Sequence, residues 1–105
     1  MRYVADLAAE VDVTPDATLS KVLVREGPVR VVLFAFDRDQ ELTEHTAAVP
    51  AVIEVISGVL VVTTGGDEHR MAPGSWLLLE AHEPHTVRAE EPSKMLLTMI
   101  RCPDA

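Results

Sequence analysis

His45 and His85 are the residues of this chain best suited to chemistry, each standing at the corresponding place in one of two similar blocks flanked by short apolar runs. The first block runs Asp39, five residues, His45, one residue, Ala47, three residues, Ala51, six residues, Gly58. The second runs Gly74, five residues, Glu80, His82, two residues, His85. Imidazole binds zinc, iron, nickel, copper and manganese to different degrees, and histidines on separate strands of a closed β-barrel can converge on one metal or ligand in its mouth. Two imidazoles do not close a typical catalytic metal site, which uses three protein ligands plus water. His82, three residues before His85, is the nearest third candidate, and Glu54 is the acidic option. Strand alternation decides the side on which Glu54 lies: with Ala51, Ile53 and Val55 inward, it faces away. His69, within the charged turn from Asp67 to Arg70, is expected to face solvent.

The elements that must position these histidines read as strands. Apolar residues recur in strand-length runs broken by turn residues about every eight to twelve positions, the pattern of a sandwich or barrel. Eight runs stand out. Leu19 to Arg25 and Val29 to Phe36 flank Glu26, Gly27 and Pro28 and read as a hairpin. Val52 to Ile56 and Val59 to Thr64, separated by Ser57 and Gly58, read as a second hairpin. Glu68 to Met71, Trp76 to Glu80, His85 to Ala89 and Lys94 to Arg101 complete the series. On this reading His45 follows an acidic turn, Asp37 to Glu44, where a polar loop feeds a strand beginning near Ala47, Ala48 and Val49. His85 opens its own strand, so both rings are expected at the barrel rim or upper wall. Only Val4 to Val11 has helical spacing, through Val4, Leu7, Ala8 and Val11. One short N-terminal helix is expected there, ended by Thr14, Pro15 and Asp16.

The 105 residues suffice for one domain, here an N-terminal segment 1–18 followed by a barrel over 19–101. With 48% hydrophobic residues but only two Phe, one Tyr and one Trp, the core must be built from small aliphatic side chains, which suits sheets. A net charge of −8 repels phosphate backbones, and no basic run or recognition motif opposes that, so nucleic acid is not an expected partner. Highly anionic substrates are mildly disfavoured for the same reason, although a local pocket overrides net charge. Cys102 is the only cysteine, which excludes an intramolecular disulfide and a cysteine-rich zinc site. Residues 1–10 lack the apolar stretch of a signal peptide, and no run is long enough for a membrane span, so a cytoplasmic protein is expected. The serines sit in turns or strand ends without a nucleophile-elbow pattern, and Gly65 and Gly66 lack the lysine and helix of a phosphate loop.

From Leu33 to Met99 the chain resembles a small single-domain member of the cupin superfamily, with both motif regions in order and a short spacer between them. The resemblance implies an all-β fold, the double-stranded β-helix or jelly-roll barrel of RmlC-like proteins. In that family the first motif supplies two histidines one residue apart and a glutamate, and the second supplies one histidine, together holding a divalent metal inside the barrel. Carried over, the first histidine falls on His45 and the last on His85, while the other two positions fall on Ala47 and Ala51. Asp39 replaces the opening glycine of the first motif. In the second motif Gly74 and His85 match, whereas the usual proline, inner glycine and terminal asparagine are replaced by Glu80, His82 and Ala89.

Half of the ligand set is thereby erased, and removing two of four metal ligands should cost metal affinity severely. The expected function is binding of a small polar molecule in the barrel mouth through His45, His82 and His85, with weak or absent metal binding. The alternative is a metal-dependent enzyme, dioxygenase- or isomerase-like, in which iron, nickel, manganese or zinc is held by His45 and His85 with His82 as third ligand. A non-catalytic interaction protein is the third reading. No catalytic residue and no reaction follow from the sequence. A homodimer is expected by analogy and from the frequency of two-fold oligomers, with Tyr3 to Leu23 as its interface.

Overall fold

The Val- and Leu-rich runs flanking Glu26, Gly27 and Pro28 form the expected hairpin, β1 (Thr18–Glu26) and β2 (Val29–Phe36), in the computed structural model, which describes residues 1–101. Cys102 lies outside the described residues. Seven further strands follow: β3 (Glu41–His45), β4 (Ala51–Ser57), β5 (Leu60–Thr64), β6 (Asp67–Met71), β7 (Trp76–Leu79), β8 (His85–Ala89) and β9 (Ser93–Ile100). They build two antiparallel sheets, one ordered β1-β2-β9-β4-β7 and the other β3-β8-β5-β6. This is the all-β jelly roll expected from the sequence.

Alternation sorts each strand into an inner and an outer face. Ala51, Ile53 and Val55 of β4 face inward with Phe36, Leu79 and Met95 of the same sheet, and meet Leu60, Val62, Val87 and Ala89 of the other. Glu54 lies between inward residues and points away, as alternation required. Full burial of each aliphatic side chain stabilises by about 1.5–3 kcal/mol, so the apolar filling makes stiff walls on which strand-end side chains can be held.

Three expectations need correction. Glu41–His45 is a strand rather than part of an acidic turn; the loop follows it, at 46–50, and no strand begins at Ala47. As the edge of the four-stranded sheet, β3 half-buries only Leu42, so its sequence carries almost no alternation to read. Second, β4 and β5 are not a hairpin. Ser57, Gly58 and Val59 carry the chain from one sheet to the other, since β4 pairs with β7 and β9 while β5 pairs with β6 and β8. Gly58, at φ 80°, is pressed against Pro92 and Ser93, and a Cβ there would collide with the buried Ser93. The Ser93 hydroxyl in turn accepts the Val59 N–H at 3.0 Å and reaches the Glu91 carbonyl at 2.6 Å, pinning the crossing. Third, the N-terminal helix shrinks to a single 3₁₀ turn, Leu7–Glu10, whose preceding Asp6 makes no side-chain cap. Four residues are too few to repay helix nucleation. The turn is held instead by Lys94, whose ammonium donates to the Ala8 carbonyl. No helix is long and apolar enough to cross a membrane.

Candidate ligand-binding site

His45 ends β3 and His85 begins β8, and the ladder between these strands sets the two residues directly opposite each other. Their rings lie 4.2 Å apart, centroid to centroid, at an interplanar angle of 58°. Each ring is oriented by the same local device. The Nδ1 of His45 lies 2.8 Å from the Thr43 carbonyl oxygen, and the Nδ1 of His85 lies 3.0 Å from that of Glu83. A carbonyl oxygen has no proton to give, so Nδ1–H donates in both rings. In the neutral imidazole this leaves the Nε2 of each ring with its lone pair, an acceptor. Their burial differs: His45 is exposed, whereas His85, 5% exposed, is the one buried titratable side chain among the described residues.

The third member of the same row is Thr64, which the β5–β8 ladder sets opposite His85. Its hydroxyl lies 3.0 Å from both a carboxylate oxygen of Glu83 and the Pro84 carbonyl, and with one proton it donates to one of them at a time. The other carboxylate oxygen of Glu83 accepts the Glu80 N–H at 3.0 Å. That backbone bond, then the Thr64 hydroxyl, and lastly the nearby His85 ring hold the Glu83 carboxyl below the usual carboxylate range, against a smaller opposing effect of burial. Glu83 thus fixes the loop at 80–84 and, through its own carbonyl, the ring of His85. Sequence reasoning missed both Thr64 and Glu83; the signal was an acid two residues before a strand-opening histidine.

Two short loops place the row at one end of the sandwich. The loop at 46–50 joins His45 to Ala51, and the loop at 80–84 joins Leu79 to His85, so the row containing Ala51 and Leu79 lies at the same end as the histidines. The loops are tied together where the His82 N–H donates to the Ala47 carbonyl at 2.7 Å. His82 takes a φ of 65°, the left-handed region, and its side chain is exposed. Its position is therefore a turn position that the backbone uses, and it does not complete a cluster with the other two histidines. Among the described residues no group of three or more His, Cys, Asp or Glu side chains is placed to hold a metal. The donor set is two imidazoles, one short of the three protein ligands of a catalytic site. Ala47 is half-buried in the loop, and Ala51, 2% exposed, is part of the inner wall. His69 is exposed on β6, as expected.

Comparison with known proteins agrees with this architecture. The family model of the cupin domain matches residues 31–101. Among solved structures, the SPY1581 protein of unknown function from Streptococcus pyogenes is 30% identical, with a TM-score of 0.88 over 100% of this chain and 91% of that one. KdgF from Halomonas sp. is 25% identical at a TM-score of 0.78, covering 90% of this chain and 88% of its own. A cupin superfamily protein from Desulfitobacterium hafniense DCB-2 is 22% identical with a TM-score of 0.87, over 91% of this chain and 88% of that one, a likeness of fold alone. No curated protein matches the chain.

Proposed function

The chain belongs to the cupin family, and from that premise we propose that it binds a small polar molecule at the mouth of its barrel, with metal binding weak or absent. The observation that carries this reading is the histidine pair: two rings 4.2 Å apart whose Nδ1 atoms are both committed to the backbone carbonyl two residues before them. Two Nε2 acceptors on neighbouring rings suit a ligand that donates two hydrogen bonds, such as neighbouring hydroxyls. The half-buried Thr64 and the closely fixed loop at 80–84 support a preformed wall beside them.

The alternative, a metal-dependent enzyme completed by His82, has against it the exposed turn position of that residue. The experiment is a thermal-shift screen of sugars and sugar alcohols on untagged protein, paired with elemental analysis. A ligand should raise the melting temperature of the wild type and leave His85→Ala unmoved. One equivalent of iron, nickel, manganese or zinc, lost in both His45→Ala and His85→Ala, would overturn the reading in favour of the metalloenzyme.

A further inference from the structure

Beside the histidines, the same end of the sandwich carries a hollow of about 440 Å³ whose charged lining is entirely basic: Arg25, Arg30 and Arg101, with Val49, Met99 and Pro28 as its apolar walls. None of the four histidines lines it. In a chain with nine basic residues and a net charge of −8, three arginines lining one hollow with no acid among its lining residues are a local inversion of the molecule's charge.

The register explains how they converge. Arg25 pairs with Arg30, Arg30 with Met99, Met99 with Ala51, and Ala51 with Leu79, one continuous row across the five-stranded sheet. Ala51 and Leu79 belong to the core and Met99 packs against it, so the row lies on the inner face and Arg25 and Arg30 extend it at the mouth. Arg101 joins them because its N–H donates to the Pro28 carbonyl at 2.8 Å, folding the end of β9 onto the β1–β2 turn. Two like charges directly opposite in an antiparallel ladder are destabilising. Three other cations are paired, Arg2 with Glu26, Lys21 with Glu10 and Arg70 with Glu90, while Arg38, Arg88 and Lys94 stand apart from one another without an ion pair among the described residues. Among the described residues Arg25, Arg30 and Arg101 make no such pair.

We propose that this hollow is a subsite for the carboxylate of a small organic acid, with Arg25, Arg30 and Arg101 holding the carboxylate and the Val49–Met99 wall covering its carbon body. The guanidinium fork matches a carboxylate bidentately, and a bound anion relieves the repulsion of the arginine row. This inference rests on the reading of the mouth as a ligand site and names the class of ligand: a hydroxylated carboxylic acid whose acid end lies at the arginines and whose hydroxyls lie at the histidine pair.

The test titrates hexanoate, its neutral counterpart hexan-1-ol and inorganic phosphate into the full chain at low salt, reading the arginine Nε–H signals by NMR and the melting temperature. Hexanoate should saturate the signals of Arg25, Arg30 and Arg101 and raise the melting temperature, and hexan-1-ol should do neither. Arg30→Gln and Arg25→Gln should each weaken hexanoate about tenfold and, without anion, melt at or above the wild-type temperature. Variants that melt lower and bind hexanoate unchanged would make the arginines structural and overturn the proposal, as would the absence of a saturable response to hexanoate. Tighter binding of phosphate than of hexanoate would overturn the carboxylate assignment. Hexanoate has no hydroxyl for the histidines, so His85→Ala should keep its response to hexanoate. Failure of the histidine site and failure of the arginine site are therefore read separately.

Discussion

A histidine in the left-handed backbone region pays a steric cost that glycine does not, and position 82, at φ 65°, is where the family resemblance puts a glycine. His82→Gly is therefore expected to stabilise the fold by about 0.5–1 kcal/mol, measured by chemical denaturation, while His82→Val destabilises it. A lower stability for His82→Gly would mean that the imidazole makes a stabilising contact and that the turn reading is wrong. Asp39, at φ 65°, meets the same demand at the opening glycine of the first motif, with its N–H donating to the Ala89 carbonyl at 2.8 Å. The two alanines invite the opposite experiment. Ala51 faces inward at 2% exposure, so a glutamate there buries a carboxylate that only a cation can compensate. Combined Ala47→His and Ala51→Glu should give a protein that melts below wild type in chelator, takes up one equivalent of a divalent metal by elemental analysis, and recovers stability with it. If the double variant takes up no metal, the erased ligand positions have been misassigned.

At the scale of elements, the loop at 80–84 is the piece whose stability depends on protonation. The Glu83 carboxyl is held below its usual range, so its contribution is present above the pKa it has in the unfolded chain and is lost as pH falls through the lower folded value. Asp37 acts with the same sign at the other end of the sandwich, accepting the Asp16 and Arg38 N–H groups, each at 2.8 Å. Glu83→Gln should melt below wild type at pH 7, with the gap closing as the pH is lowered past about 4; a gap unchanged down to pH 3 would mean that the carboxylate charge contributes nothing. The legibility of the elements follows their burial. Strands with buried side chains, such as β2, β4 and β8, could be read as apolar runs bounded by turn residues, and the paired histidine blocks led to the two rings that lie beside each other. β3 was missed because an edge strand with one half-buried side chain has no pattern to show. The β4–β5 crossing was misread because Ser57-Gly58 is local turn chemistry that serves a hairpin and a change of sheet equally well. Which one forms depends on Gly58 packing against Ser93, 35 positions away. The left-handed turn at His82 was not legible because sequence spacing says nothing of φ.

For the whole molecule, the outer face of the five-stranded sheet sets the expectation of self-association. Trp76 and Leu78 on the edge strand β7 are 60% and 49% exposed, and on the opposite edge strand β1 Leu19, which pairs with Ala35 on the same outer face, is 39% exposed. Trp76 is paired with Glu54 and Leu78 with Val52, which alternate with the inward Ile53 and Val55, so both lie on the outer face. Apolar side chains on this face fit an isologous two-fold contact, and Leu19 falls within the segment Tyr3 to Leu23. Against association stands the charge of −8 on each copy, a repulsion that salt screens while leaving apolar contact intact. Light scattering should therefore give a mass about twice the 11.5 kDa of the chain, with dimerisation strengthened by raising salt from low ionic strength to about 0.15 M. The single tryptophan reports on the contact directly: its emission should shift to the blue as protein concentration rises, and Trp76→Glu should remain monomeric with a melting temperature independent of concentration. A chain mass that stays at one copy throughout, with emission unchanged, would show that this face does not pair two copies.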